Sequence, residues 1–163
     1  NNMTDCVAAL GALTNSDCPE RPDALKWFYE KWKDEQLVID KWFTVQATST
    51  LPNTLEEVKN LMNHKDFDIK NPNRVRSLIG AFCQGNHALF HSADGSGYMF
   101  AADQISILDS INSQIAARLA RAFDRWRQFS EQHQAHAKHA LTRIQNQPNL
   151  SKDTTEVITR TLS

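Results

Sequence analysis

The residues best placed to do chemistry lie between Asn71 and Phe82, reading NPNRVRSLIGAF, where two arginines stand at the start of a helix. Pro72 disfavours helix at Asn71 and Asn73 is a good N-cap, so the helix is expected to open at Arg74. Val75, Leu78, Ile79 and Phe82 then fall at i, i+3, i+4 and i+7, one buried stripe. Arg74 and Arg76 occupy the first turn, where unpaired amides and the helix dipole favour anions and disfavour each cation by roughly 0.3–1 kcal/mol. Two readings follow. In the plainer one, both guanidinium groups turn to solvent or to a carboxylate on a neighbouring helix. In the other, Asn73, the first amides and the arginine forks form a site for a carboxylate or phosphate.

Other constellations are weaker. His87 and His91 have the i, i+4 spacing of a helical zinc site, but Ala88 stands where a general-base Glu would follow, and no third ligand is evident. Capping or core roles are expected for both. His133, His136 and His139 at i, i+3 and i+6 read as a solvated face. Gln114, Arg118, Arg121 and Arg125 recur at i, i+4, i+7 and i+11 as one polar, cationic stripe. No Ser/His/Asp order, phosphate loop or paired carboxylate stands out, so no catalytic centre is expected. From Arg118 to Arg143, six basic side chains (Arg118, Arg121, Arg125, Arg127, Lys138, Arg143) meet only Asp124 and Glu131, in a chain of net charge -1. That segment could bind an acidic protein segment or nucleic acid as an independent helical-repeat module. Nucleic-acid surfaces usually carry more charge than this, so nucleic acid is not the expected partner. Trp27, Trp32, Trp42 and Trp126 lie mainly on apolar stripes, as core residues rather than stacking platforms.

The elements that must position these groups all read as helices. At 163 residues the chain is expected to form one helical domain, 1–163, burying about two thirds of its unfolded surface. Its start lacks an initiator Met and enters an apolar helical pattern at once, as a fragment of a longer chain would. Cys6, Cys18 and Cys83 are an odd count with no C-x-x-C, pointing to reduced thiols in a cytoplasmic protein, Cys83 being a small core residue. No apolar run approaches about 18 residues and no signal pattern opens the chain, so no membrane partner is expected.

Helices are expected at Asn1 to Leu13, from Pro22 with Leu25, Phe28, Tyr29 and Trp32 inward, and at Leu37 to Ala47 with apolar residues on more than one face. Thr54 and Glu57 read as a capping box for Leu55 to Asn63. Gly85 closes the arginine-bearing helix, and Ala93 to Gly97 (ADGSG) reads as the most flexible loop. Then come Tyr98 to Ile111, a long helix capped by Ser113 and running past Trp126, a polar helix Gln132 to Asn146, and a last one capped by Ser151. The total is nine or ten helices. Helix pairs begin at intervals of roughly 30–45 residues, suiting stacked hairpins better than a four-helix bundle. The fold class is all-α, an irregular α-solenoid of stacked antiparallel pairs, a HEAT/armadillo-like superhelix.

Four blocks carry a resemblance: Asp40 to Ser49 (DKWFTVQATS), Asn71 to Phe82, Phe90 to Tyr98 (FHSADGSGY), and the tail from Asn149 (NLSKDTTEVITRTL). Together they resemble the carboxy-terminal helical domain of the bacterial aminopeptidase N family, zinc metallo-aminopeptidases of the gluzincin type. The resemblance implies a catalytically inert domain that caps the catalytic domain and lines its substrate cavity. It implies zinc in the full-length enzyme, held by an H-E-x-x-H helix and a Glu of another domain; neither occurs here, and no cofactor is implied for this chain. The implied partners are the other domains of the parent and its peptide substrates. Arg76, Gln114 and Arg118 match the family's cavity wall, which shifts the interest in the first stretch from Arg74 to Arg76.

Overall fold

The computed structural model describes residues 3–163, and every regular element in them is helical. Ten α-helices follow in order: α1 (Met3–Thr14), α2 (Glu20–Trp32), α3 (Gln36–Ala47), α4 (Thr54–Leu61), α5 (Pro72–Val75), α6 (His87–Phe90), α7 (Ser96–Asp109), α8 (Ser113–Ala120), α9 (Glu131–Gln145) and α10 (Lys152–Leu162). A π-helix, Arg76–Gly85, continues α5, and two 3-10 turns, Arg121–Phe123 and Trp126–Gln128, follow α8. The expected first helix begins at Asn1 and Asn2, which lie outside the described residues. The chain forms two compact units, residues 1–89 and 90–163.

In the first unit α3 is the central element, packed by α1, α2, α4, α5 and the π-helix. That is what apolar residues on more than one face require: Val38, Ile39, Trp42, Phe43 and Ala47 are all buried. The unit's helix ends are closed by distant side chains, as buried backbone groups demand. Ser49 Oγ donates to Thr14 O at 2.5 Å and Asn86 Nδ2 donates to Ala47 O at 3.0 Å and Ser49 O at 2.8 Å. Thr54 and Glu57 do not form a capping box. The Thr54 hydroxyl donates to Leu51 O, while Glu57 takes a two-pronged bond from buried Arg21, at 3.0 and 2.7 Å. A long-range guanidinium outbids a local amide for the carboxylate.

In the second unit α7 and α8 form one hairpin and α9 and α10 a second, with α7 packed on α9 and α8 on α10. Like helix lies on like helix, the stacking that repeat architectures use. Asp109, at the end of α7, holds the start of α10: it accepts from Ser151 N at 2.7 Å, Ser151 Oγ at 2.6 Å and Thr154 Oγ1 at 2.6 Å. Ser151 caps α10 as expected, its hydroxyl accepting from Thr154 N. Burial pushes the Asp109 carboxyl up, but the bonds from Ser151 and Thr154 outweigh it and hold the group below its ordinary value.

Two expectations for this unit fail. The ADGSG loop is not loose: Gly95 takes φ 76° against the His136 ring, and a Cβ on Gly97 would sit 2.2 Å from Phe90 O. Asp94 gathers Ser96 N, Ser96 Oγ and Ser92 Oγ, which lowers its carboxyl to about 2. The long helix from Ser113 is also broken. Asn112, not Ser113, is its cap, and it ends at Ala120, because buried Phe123 and Trp126 and the bonds of Trp126 and Arg127 to the end of α10 pull the chain out of register.

Gly97→Ala is expected to lower unfolding stability by about 1–3 kcal/mol through overpacking against Phe90. Asp109→Asn should cost about 1–3 kcal/mol near neutrality. The Asp109 contribution is present above about pH 4, its unfolded range, and is lost as pH falls through the lower folded value, so urea midpoints of wild type and Asp109→Asn should converge in acid.

Candidate functional site

The two arginines of the opening stretch part company. The helix starts at Pro72, two residues earlier than expected. Asn71 is extended (φ -91°, ψ 109°) and its side chain, rather than that of Asn73, caps Asn73 N and Arg74 N. Proline restrains the residue before it but is itself well suited to the first helical position, so both clues belong one cap earlier. Arg74 therefore turns inward, at 2% exposure. Its Nε pairs with Asp40 at 2.9 Å, one terminal nitrogen donates to Asp66 O at 2.8 Å, and the other to Gln36 Oε1. This is the plainer of the two readings, a carboxylate on a neighbouring helix, and it removes Arg74 from any ligand site.

Arg76 points outward. It is exposed, donates to Asn73 Oδ1 at 2.9 Å, and lines a surface groove of about 610 Å³ in the first unit. Met3 and Val7 of α1 and Leu37, Val38 and Val45 of α3 give the groove an apolar floor, with Lys41, Asp40 and Asn73 as polar lining. Leu37 is 75% exposed there. The groove joins a cation to apolar surface, a combination suited to an extended chain with an anionic group.

Gln114 and Arg118 lie one turn apart on α8, both exposed. Arg118 and Arg121 line a cleft of about 350 Å³ with Asp153, Glu156, Val157 and Arg160 of α10. The cationic stripe of Gln114 to Arg125 is thus cut after Arg118 by the end of α8, and the cleft has mixed charge. The acidic and basic side chains of α10 lie on its outward face, away from the apolar stripe that marks the helix in the sequence. Their i, i+3, i+7 spacing was the available signal. Three of the six basic groups in the wider segment have partners within the chain: Arg121 reaches Asp124 at 3.4 Å, Arg127 caps the last carbonyls of α10, and Arg143 pairs with Asp103. An anion-binding module built on Arg118 to Arg143 would share three of its cations with these partners.

Among the described residues, no group of three or more His, Cys, Asp or Glu side chains is placed to hold a metal ion. His91 lies beyond α6, bonds Tyr98 OH at 2.7 Å and stacks on Phe129 at 4.0 Å. His133 and His136 are not a solvated face. His133 Nε2 meets His91 O at 2.8 Å, His136 packs on Gly95, and only His139 of the three is exposed. Cys83 is a buried thiol whose pKa burial pushes up, as a core residue requires. No helix in the described residues is long and apolar enough to cross a membrane.

The family is decided by the whole length of the chain: a profile described as "Domain of unknown function (DUF3458_C) ARM repeats" matches residues 1–163. The chain belongs to this ARM-repeat family. Membership fits the hairpin-on-hairpin stacking of the second unit and the expected α-solenoid. The family member is 43% identical over 163 residues to aminopeptidase N of Escherichia coli (strain K12), covering 100% of this chain and 19% of that protein. It is 44% identical over 162 residues to aminopeptidase N of Haemophilus influenzae, covering 99% of this chain and 19% of that protein. A solved structure of Legionella pneumophila aminopeptidase A in complex with aspartic acid matches with TM-score 0.93 and 37% identity, over 99% of this chain and 19% of that one. This ARM-repeat chain is therefore homologous to the C-terminal region of aminopeptidase N, as the sequence blocks implied, and spans about a fifth of those proteins.

Substitution separates the two arginines. Arg74→Ala should cost about 3–5 kcal/mol by leaving Asp40 half-buried and unpaired, whereas Arg76→Ala should change stability by no more than about 0.5 kcal/mol. Urea unfolding followed by helical circular dichroism reads both.

Proposed function

We propose that residues 1–163 act as a single, catalytically inert helical domain within a longer zinc aminopeptidase, where they wall the cavity that receives the peptide. The observation that supports this most directly is the near-complete match of the chain to a fifth of each aminopeptidase N. In the parent, zinc and the residues that hold it belong to another domain, and the chemistry of peptide hydrolysis is done there. Arg76 of the first unit, and Gln114 and Arg118 of the second, each approach the peptide away from the scissile bond; their match to the family's cavity wall and their exposure support this. A peptide held by its amino end at the zinc sends its remaining residues, and finally its carboxylate, toward this wall, where guanidinium groups favour it. The partners are the other domains of the parent and its peptide substrates, and the compartment is the cytoplasm. The aspartic acid of the Legionella structure fits an enzyme that releases single amino acids.

In the full-length parent, Arg76→Ala and Arg118→Ala should each raise KM for peptides about tenfold, the effect of one charge-assisted hydrogen bond, and leave a single amino-acid amide within about threefold. Equal losses on both substrates would assign the arginines to folding. The isolated chain with added zinc should not hydrolyse an aminoacyl-arylamide, and chelator-sensitive turnover would overturn the inert role.

A further inference from the structure

One residue of the first unit ties its own connector to two helices through three different groups. Asp66, in the connector between α4 and α5, gives its N–H to His64 Nδ1 at 3.0 Å, accepts the Tyr29 hydroxyl at 2.5 Å, and accepts Arg74 on its carbonyl at 2.8 Å. We propose that His64 is a pH-sensitive latch on this connector: a proton added to its ring breaks the bond to the Asp66 amide and loosens the hub that holds Tyr29 and Arg74.

The geometry dictates the tautomer. Because Nδ1 accepts the Asp66 N–H, it carries no proton, and the neutral ring keeps its one N–H on Nε2. A proton from solvent bonds to the Nδ1 lone pair, so the amide N–H then faces another N–H and the hydrogen bond is lost. The ring has little room to turn. Its centroid lies 5.0 Å from that of Tyr29 on α2, and 5.2 and 5.8 Å from those of Trp42 and Phe43 on α3.

The groups facing it are few. Trp42 and Phe43 from α3 are uncharged, and Tyr29 from α2 stays neutral, raised to about 12 by burial and by its bond to Asp66. Burial lowers the His64 pKa; from the connector Asp66 opposes this and Lys65 adds to it, as does Arg74 from α5, and the balance lies below the ordinary 6.5. Aromatic faces offer an imidazolium some cation–π attraction, but less than the loss of a partly buried backbone bond and the desolvation of a second cation beside Arg74. With the folded value below the unfolded one, the closed connector is fully stable above about pH 6.5 and weakens as pH falls toward the folded value. The connector leads directly into the Asn71 cap and the π-helix, so acid loosens the base on which Arg76 stands. The latch is independent of what Arg76 binds.

The test is nuclear magnetic resonance on the full chain, following the His64 ring and the exchange protection of the Asp66 amide from pH 7.5 to pH 5. The ring should titrate below 6.5 from an Nε2–H tautomer. Asp66 protection should fall about tenfold for each unit by which that pKa lies below 6.5. His64→Asn retains an acceptor without a titrating ring, and its Asp66 protection should not vary with pH. A ring that titrates at or above 6.5, an Nδ1–H tautomer, or the same pH dependence in both proteins would overturn the latch. Should His64→Asn fail to fold, the wild-type titration and exchange decide alone.

Discussion

The first unit depends on one buried guanidinium. An arginine out of water must place its donors on acceptors or forfeit several kcal/mol, and Arg74 does so by drawing on Asp40 and Gln36 of α3 and on the carbonyl of Asp66. The central helix, the connector and the start of α5 are thereby set to one another by a single planar group, which also lies 5.5 Å from the Phe43 ring. Planarity matters, since a lysine could neutralise Asp40 but could not reach three acceptors in fixed directions.

Arg74 and Arg76 differ in position by two residues and in role entirely. Successive residues turn by about 100° around a helix, so a separation of two places the second on nearly the opposite side. One arginine closes the interior and the other faces the groove. The dipole argument against cations in a first turn applied to both, yet for Arg74 it is outweighed by an ion pair at 2.9 Å, and for Arg76 the cost is small because the group stays in water. Asp40 serves both, binding Arg74 while lining the groove of Arg76.

What the residues disclosed were the helices, their buried stripes and the outward groups. Val75, Leu78, Ile79 and Phe82 are all buried, as their spacing required, and so are Leu25, Phe28 and Tyr29. What they did not disclose depends on distant partners. Nothing near Ala120 is a helix breaker; the chain leaves the helix because Trp126 Nε1 reaches Thr161 O, 35 residues away. Glu57 looked like half of a capping box because the local pattern cannot see Arg21. In the candidate site, Arg76, Gln114 and Arg118 could be named from pattern and resemblance, whereas the companions of Arg76 in its groove come from α1 and α3 and are joined to it only by folding.

The π-helix carries a different kind of information. Its hydrogen bonds reach five residues back instead of four, so each turn holds about one residue more than α-helical geometry needs. Ten consecutive residues, Arg76 to Gly85, adopt this wide turn. Thr44 of α3 donates to Ser77 O within it at 2.8 Å, fastening the widened turn to the central helix. The segment has the form of an α-helix that accepted an extra residue and kept both its ends in place. Loss of one residue would let it narrow again to an α-helical turn with both ends still in phase, whereas the same loss from an ordinary α-helix would rotate everything beyond it by about 100°. A one-residue deletion in this stretch would therefore narrow a turn and leave the flanking outward and inward residues where they are.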